Sequence, residues 1–467
     1  MAQIVLNDAV EGEHEVINDY FFHRLCEPIP VMPRNGGDGD PMPYDREYLP
    51  SQALAVSERF LLLFVAHPSG FVVARILDVM WAQVWRWERS VRSSSIVEVP
   101  VGRVRLLSLS PESSTLAACV GGTVNLFSVA SLYRQEQEPF LSPTIEGGSS
   151  IKDVSWLNEH SYILLSSCGN LYVGRMDGSL EFLMDNVDAV DCSPGADYIA
   201  MARNDELRIL SPRLNEESHI ALSLQPWMGN SDDSSVKGCT TTTYQNFLFT
   251  RNESAILIRL MYNSFSAPEL SSFEVDSLKW ACPDRIILGC FQLTLDGMEE
   301  SYLLLVIGLT VSEILPKGET TSTRLALSVD YVQSFHDVFP GIVEDIMPAG
   351  SGPHLFFSCL RNHNFAIAAN RKNVDEHVVL FDWRHREQMA RVYIDRDYWL
   401  PRIELQENGD DNSILGLCIN EISQDRLDRI NRFFHQTGFA LVIPGDAICI
   451  LWCLSLEGKL SAFSVTR

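Results

Sequence analysis

The sequence predicts an all-β protein whose architecture is a seven-bladed β-propeller. Three observations lead there: a hairpin unit that recurs along the whole chain, the grouping of these hairpins into seven sets, and strands that are apolar on both faces. Many short strands separated by turn residues indicate a sandwich, a barrel or a propeller. A single sandwich seldom exceeds about 250 residues, so a chain of 467 residues fits the repeat architecture better.

The recurring unit is a short apolar run, a tight turn built on Gly, Asn or Asp, and a second apolar run. Such a pattern is typical of a β-hairpin. The clearest copies are Thr115 to Val129, Ser161 to Arg175, Asp197 to Ser211 and Ile448 to Val465, and Ala53 to Arg75 is a looser one.

The hairpins form groups that recur about every 35 to 50 residues, the length of one four-stranded blade. The seven groups cover residues 53–99, 104–140, 151–185, 187–224, 275–330, 342–383 and 414–465. The last group has only three convincing strands. The isolated run Asp19 to Leu25 is expected to supply the fourth, so that pairing of the two chain ends closes the ring and leaves no open edge there.

Runs such as LLLFVAH and ILGLCI are apolar on both faces, as expected for sheets packed between neighbouring sheets. Trp156 and Trp280 occupy similar contexts, DVSW and DSLKW. We interpret them as core residues, with an aromatic cage as the functional alternative. A pair of β-sandwiches is the alternative fold.

Residues 1–18 are acidic and lack a basic start followed by an apolar stretch, so they predict a disordered lead and no signal peptide. The propeller is expected over residues 19–467. The longest apolar segment, Ala440 to Leu456, is interrupted by Pro444, Gly445 and Asp446 and is shorter than the ~20 residues of a membrane span. No membrane insertion is predicted.

The net charge of −25 disfavours direct binding to nucleic acid, which requires an excess of Lys and Arg, and favours basic protein partners. The eleven cysteines show no C-x-x-C pair and no regular spacing. This pattern indicates buried thiols in a reducing compartment, the cytosol or the nucleus.

No enzyme motif is evident, and neither a metal site nor a cofactor is predicted. The chain lacks a phosphate-binding G-x-x-x-x-G-K-[ST] loop, an H-E-x-x-H zinc motif and a G-x-S-x-G nucleophile elbow. Paired carboxylates of a propeller glycosidase could be sought at Asp395 with Asp397, or at Asp410 with Asp411. Neighbouring acids in a loop are more often solvated charges.

Several long segments, in the same order, resemble the N-terminal domain of the CAN-type FG nucleoporins. They include residues 49–75 (LPSQALAVSERFLLLFVAHPSGFVVAR), 187–202 (VDAVDCSPGADYIAMA), 276–304, 363–380, 395–418 and 453–460 (CLSLEGKL). The resemblance covers about Asp19 to Arg467, and it is specific because the segments occur in combination.

The resemblance implies a seven-bladed propeller of the WD40/YVTN type at the cytoplasmic side of the nuclear pore complex. It also implies a non-catalytic docking role for a DEAD-box RNA helicase of mRNA export, with other nucleoporins as further partners. Docking in the family uses the connection between the sixth and seventh blades, here about Phe381 to Asn412. The expected binding residues are Asp382, Arg384, Arg386, Glu387, Asp395, Arg396, Tyr398 and Trp399.

Two stretches depart from the family pattern and are interpreted as insertions, residues 238–274 and 432–447. Neither is expected to disrupt the ring if each lies in a connection between strands. Two other functions stay open from the sequence: a WD-like interaction scaffold of another complex, and a propeller hydrolase with a central acidic pocket.

Overall fold

The computed structural model describes most of the chain, and the account below is confined to the part it describes. The described residues are 10–16, 19–25, 27–33, 44–84, 96–195, 198–203, 206–210, 219–223, 255–259, 272–293, 299–314, 324–340, 342, 347, 352–375, 377–384, 387–394, 400–421, 428, 431–432, 443–444 and 447–467.

Seven separate β-sheets make up the fold, and each is one blade of a seven-bladed β-propeller. The predicted fold class is therefore confirmed. The blades belong to two compact units, which we describe one at a time: residues 1–12 with 187–338, and residues 13–186 with 339–467. Neither of the described α-helices is long and apolar enough to span a membrane.

The N-terminal region contributes four short strands. They are β1 (Val10–Glu11), β2 (Glu13–Val16), β3 (Phe21–Arg24) and β4 (Ile29–Pro30). Each of them pairs with a strand that lies more than 300 residues further along the chain.

The larger unit contains the first three blades. Blade 1 comprises β5 (Leu54–Ser57), β6 (Leu62–His67), β7 (Gly70–Arg75) and β8 (Ile96–Val99), with helix α1 (Ile76–Val84) after β7. Blade 2 comprises β9 (Leu106–Leu109), β10 (Thr115–Val120) and β11 (Thr123–Ser128), followed by α2 (Val129–Tyr133). Blade 3 comprises β12 (Ile151–Asn158), β13 (Ser161–Ser166), β14 (Leu171–Arg175) and β15 (Leu180–Met184).

The smaller unit contains blades 4 and 5. Blade 4 comprises β16 (Val187–Cys192), β17 (Ile199–Arg203), β18 (Glu206–Leu210), β19 (His219–Ser223) and β20 (Ala255–Arg259). Blade 5 comprises β21 (Ser272–Cys282), β22 (Arg285–Leu293), β23 (Glu299–Ile314) and β24 (Arg324–Phe335), with β1 added at its edge.

The larger unit also contains the last two blades. Blade 6 comprises β25 (Leu355–Leu360), β26 (Phe365–Asn370), β27 (Val379–Asp382) and β28 (Ala390–Tyr393), with β2 at its edge. Blade 7 comprises β29 (Ile414–Glu421), β30 (Ala447–Ser455) and β31 (Lys459–Thr466), and β3 is its fourth strand.

The chain ends close blade 7 as the sequence predicts. Strand β3 runs antiparallel to β31, with Phe21 opposite Thr466 and Arg24 opposite Phe463. Phe22 and Val465 are buried in the cluster that fills this part of the unit. Burial of these apolar side chains stabilises the pairing, because removing apolar surface from water is the main favourable contribution to folding.

Residues 10–16 belong to the segment predicted to be disordered, but all of them except Gly12 lie in strands. Strand β1 pairs in parallel with β24, and β2 pairs in parallel with β28. Both strands have mostly exposed side chains, so the backbone ladder rather than apolar burial holds them. Gly12 follows β1, where an added Cβ would lie 2.1 Å from the buried ring of Phe335, so only glycine fits at this close approach.

Both predicted insertions overlap strands of the fold. Strand β20 lies inside 238–274 and pairs in parallel with β19, and β21 already begins at Ser272. Residues 238–254 and 260–271 lie outside the described residues. In the second stretch, the Asn431 side-chain amide donates to the Ile443 carbonyl at 2.9 Å and accepts from the Ile443 N–H at 3.0 Å, so the two ends of the segment between them are joined.

Trp156 and Trp280 are core residues, as interpreted from the sequence. Trp156 packs on Tyr162 with ring centroids 5.4 Å apart, and its indole N–H donates to Ser108 at 3.2 Å. Trp280 is stacked with Tyr198 at 6.1 Å. Both tryptophans are less than a tenth exposed, so neither lines an open aromatic cage.

Candidate docking surface

Blade 6 extends further along the chain than the sequence analysis expected. Strand β28 lies at Ala390–Tyr393, inside the stretch 381–412 that was interpreted as one long connection. Its residues pair with β27, so the segment between Asp382 and Ala390 is a turn within blade 6. The connection to blade 7 therefore begins only after Tyr393. The first predicted docking residues, Asp382 and Arg384, consequently lie before β28 and not in that connection.

Asp382 is a buried residue at the end of β27 rather than an exposed one. Its carboxylate accepts a hydrogen bond from the Tyr20 hydroxyl at 2.9 Å and another from the Arg384 backbone N–H at 2.8 Å. The Nε–H of Arg384 donates to the same carboxylate at 2.5 Å. A buried carboxylate needs such donors, because an unpaired charge away from water is costly.

Arg384 is buried as well, with a side chain only 7% exposed. Its guanidinium lies over the ring of Tyr20, 4.9 Å from the centroid, and 3.9 Å from the carboxylate of Asp19. Burial and the neighbouring Asp382 carboxylate together raise the pKa of Tyr20. Contrary to the expectation of an exposed binding pair, Asp382 and Arg384 fix the N-terminal segment onto blade 6.

Of the other predicted docking residues, one lies in the described part of the chain. Glu387 is exposed in the turn that precedes β28. Arg386, Asp395, Arg396, Tyr398 and Trp399 lie outside the described residues, so their proposed contacts with a partner stay predictions.

Hydrogen bonds of Asn412 and packing of Ile403 hold the described end of the connection, residues 400–413. The amide of Asn412 donates to the Glu404 carbonyl at 2.9 Å, and its oxygen accepts from the Leu456 N–H at 3.2 Å. The imidazole Nε2 of His377 is 3.0 Å from the Asn412 carbonyl. Because Ile403 is buried in the apolar cluster beneath, the loop is fixed both by hydrogen bonds and by packing.

Two exposed apolar residues, Tyr48 and Leu405, are carried by adjoining loops of the larger unit. Tyr48 is 61% exposed and Leu405 is 62% exposed. The loops touch where Arg46 donates to the side chain of Gln406 at 3.4 Å. Arg103 lies 4.8 Å from the centroid of the Tyr48 ring and 3.2 Å from Asp45, and these contacts restrain the tyrosine. We refer to Arg46, Tyr48, Arg103, Leu405 and Gln406 as the Tyr48–Leu405 surface.

Four exposed acidic side chains, which we call the acidic rim, lie in the loop that carries Leu405. They are Glu404, Glu407, Asp410 and Asp411. Lys459 pairs with Glu407 at 3.0 Å and with Glu457 at 2.9 Å, and Arg24 pairs with Glu404. Exposed aliphatic and aromatic groups beside the acidic rim suit a partner whose surface is basic beside an apolar centre.

One of the two acidic pairs considered from the sequence lies in the described part of the chain. Asp410 and Asp411 are exposed in a turn, where Asp410 accepts from the side chain of Asn408 at 2.7 Å. Within the described ranges, no group of three or more His, Cys, Asp and Glu side chains is arranged to hold a metal ion. Asp395 and Asp397 lie outside those ranges.

The sequence analysis did not identify Tyr48, Arg103 or Leu405. Residues 28–50, a connection rich in Pro, Gly and Asp, were assigned neither a strand nor a site. One signal was present, since Tyr and Arg are enriched at the centres of protein interfaces and both occur in or beside this connection. The contact between residues near 46 and residues near 406 depends on the packing of blade 7 and could not be derived from spacing.

No family model matches the sequence, and no curated protein matches it. Among solved structures, the fold is similar to the N-terminal domain of Nup159, with a TM-score of 0.61, 12% identity and coverage of 100% of both chains. It is also similar to a chain in the S. cerevisiae complex of Dbp5 with Nup159, Gle1, IP6 and ADP, with a TM-score of 0.63, 12% identity and 100% coverage of both chains. At this identity the likeness concerns the fold.

Proposed function

We propose that this chain is a non-catalytic docking module of the nuclear pore complex that binds a DEAD-box RNA helicase of mRNA export. The observation that carries the proposal is the Tyr48–Leu405 surface, an exposed apolar pair on rigid loops where the described part of the blade 6–7 connection meets residues 45–49. Loops on a rigid scaffold commonly carry binding function. The resemblance of the sequence to the CAN-type nucleoporins and the fold shared with the Nup159 domain support the same role.

The charge of the surface suggests how binding would act on the helicase. A helicase must present Lys and Arg to the phosphates of RNA, so its RNA-binding side is basic. The acidic rim of Glu404, Glu407, Asp410 and Asp411 is complementary to such a side. Occupation of that side by the propeller excludes RNA, so the two ligands compete for the helicase. The module itself binds no nucleic acid in this scheme.

The location follows from the role. A module that captures the export helicase as RNA leaves it is best placed at the cytoplasmic side of the nuclear pore complex, where it supports mRNA export. Other nucleoporins would be its further partners there. This placement rests on the resemblance and on the proposed docking.

Titration calorimetry tests the proposal directly. The purified chain is titrated with the N-terminal RecA-like domain of the export helicase, first without RNA and then with a single-stranded RNA added in excess. We expect a one-to-one complex without RNA and a strong loss of apparent affinity with RNA. Absence of binding by a folded chain, or binding that RNA leaves unchanged, would reject the docking role in favour of another scaffold function.

A further inference from the structure

Strand β15 gives blade 3 an open outer edge. The sheet order is β12-β13-β14-β15, and among the described residues β15 pairs only with β14. An edge strand presents backbone N–H and C=O groups that can pair with a further strand. The edge is well exposed, since Glu181 and Phe182 at its centre are both accessible to water.

The turn before β15 determines which backbone groups face outward. The Gly178 N–H donates to the Arg175 carbonyl at 3.0 Å, and the Arg175 N–H donates to the Ser179 carbonyl at 3.0 Å. Along an antiparallel ladder, hydrogen-bonded residue pairs alternate with pairs that are not hydrogen-bonded. Leu180, opposite Gly174, and Phe182, opposite Tyr172, are therefore non-bonded positions, and their N–H and C=O groups point away from β14.

Apolar side chains lie beside these outward-pointing N–H and C=O groups. Phe182 is 55% exposed and meets the ring of Tyr172 edge-on, with centroids 5.7 Å apart and planes at 72°. Leu180 is half-buried and packs on the same apolar cluster as Leu141 and Met176. Side chains alternate between the two faces of a strand, so Glu181 lies on the opposite face.

In blades 2, 4, 5 and 6 a further segment pairs with the outer antiparallel strand. Strands β20, β1 and β2 each add a parallel strand to the edge of blades 4, 5 and 6 respectively. In blade 2, the segment that pairs with β11 contains Pro143 and follows Pro139. Strand β15 contains neither the proline nor the lysine with which proteins commonly protect an edge.

The charges beside β15 indicate what kind of strand would bind. Asp177, Glu181 and Asp185 are exposed at intervals of four residues, and Arg175, 2.8 Å from Glu181, is the one basic residue between positions 175 and 186. We propose that the β15 edge is a docking site for an extended peptide of a partner protein, in which apolar residues alternate with Lys or Arg. The apolar residues would lie along Leu180 and Phe182, and the basic residues would face Glu181. This site is separate from the Tyr48–Leu405 surface.

A synthetic peptide tests the site in the full chain. The probe is a fluorescein-labelled peptide of about nine residues that alternates valine and lysine, with binding followed by fluorescence anisotropy. Hydrogen exchange with mass spectrometry then locates it. We expect slowed exchange over residues 180–184, and a Phe182→Pro variant with at least about a tenfold higher Kd, because proline removes an outward N–H and the exposed ring.

Controls separate strand pairing from attraction between opposite charges. The same peptide with its central valines N-methylated keeps its charge but loses donors, and we expect it to bind at least about tenfold more weakly. Phe140→Ala should leave binding unchanged, because Phe140 is exposed in blade 2 and its N–H already donates to Leu126. Phe182→Ser keeps the N–H and is the second variant to be used if the proline variant does not fold. It should weaken binding through loss of the ring alone.

Three results would overturn the inference. The first is absence of binding, and the second is binding that neither Phe182→Pro nor N-methylation weakens, which would show attraction by charge alone. The third is a dimer of the chain in sedimentation velocity that Phe182→Pro dissociates. That result would make a second copy of this chain the occupant of the edge.

Discussion

The guanidinium of Arg384 lies over the ring of Tyr20, 4.9 Å from its centroid, although the two residues are more than 360 positions apart. The hydroxyl of Tyr20 and the Nε–H of Arg384 both donate to the buried carboxylate of Asp382. This three-residue network fixes the chain immediately before β3, the strand that completes blade 7. Its buried residues therefore contribute to the closure of the fold.

Removing the Tyr20 hydroxyl should destabilise the protein without affecting docking. Tyr20→Phe leaves the buried Asp382 with one donor fewer, which should lower the free energy of unfolding by about 1 to 3 kcal/mol. Urea unfolding followed by tryptophan fluorescence measures the change. Arg384→Ala should act in the same direction, because it removes both the charge partner and the stacked guanidinium.

Helicase affinity is the second measurement on these variants. We expect it to be unchanged for Tyr20→Phe and Arg384→Ala at a temperature where both are folded. An Arg384→Ala variant of full stability that no longer binds the helicase would instead restore Arg384 to the docking surface.

Truncation of the Tyr48–Leu405 surface should weaken helicase binding. Tyr48→Ala removes an exposed aromatic residue held by Arg103, and Leu405→Ala removes its apolar companion on the adjoining loop. Each should raise the Kd of the helicase complex by about thirtyfold, or about 2 kcal/mol, if these side chains lie at the centre of the interface. Melting temperatures should stay the same because both side chains are mostly exposed.

Phe140→Ala is the matched control, since Phe140 is also an exposed aromatic residue but belongs to blade 2. Wild-type affinity for Tyr48→Ala and Leu405→Ala alike would place the docking site elsewhere on the chain.

Binding of the helicase should weaken as salt rises. The acidic rim beside Leu405 attracts a basic partner through exposed charges, and these are screened over about 8 Å at physiological ionic strength. Raising NaCl from about 0.05 M to about 0.5 M should lower the association rate by about tenfold or more in stopped-flow fluorescence.

Glu404→Gln and Glu407→Gln together should reduce that salt dependence. Both side chains are exposed, so the fold should tolerate the change. An association rate that is independent of salt in the wild-type chain would contradict the electrostatic part of the proposed mechanism.

Stability should fall in acid because of His67. This imidazole is 1% exposed in β6, and burial lowers its pKa from 6.5 to about 4. Its Nδ1 accepts from the Ser69 N–H at 3.3 Å, so the folded state holds the neutral ring. The unfolded chain binds the proton more readily between pH 6.5 and 4, and stability is therefore present above pH 6.5 and lost as pH falls toward 4.

The loss should reach about 2 kcal/mol between about pH 7 and pH 4.5, from about 1.4 kcal/mol per pKa unit. Urea unfolding across this range measures it, and His67→Asn should remove that part of the slope while keeping an acceptor for Ser69. An identical pH dependence in the two proteins would show that His67 is not the responsible group.

The outcome for blade 6 shows where prediction from sequence reached its limit. The strands around 355–382 were expected from their apolar runs, but β28 was interpreted as part of a charged loop. β28 has only four residues, ARVY, and includes the buried Arg391, so it lacks an apolar signature. That error made Asp382 and Arg384 look like exposed residues, whereas a turn within the blade buries them.

Sequence by itself determined the all-β class, the hairpins at 115–129, 161–175, 197–211 and 448–465, and the closure of blade 7 by residues near Phe21. The all-β class and the hairpins follow from apolar side chains alternating with turn residues, which act locally. The closure follows from a last group of only three strands and an isolated strand-like run near the N-terminus. Only the tertiary structure decided the parallel strands β1, β2 and β20, the burial of Arg384 and the juxtaposition of the loops that carry Tyr48 and Leu405. The physical reason is that backbone pairing at a sheet edge leaves no side-chain pattern, and contacts across hundreds of residues depend on where the blades pack.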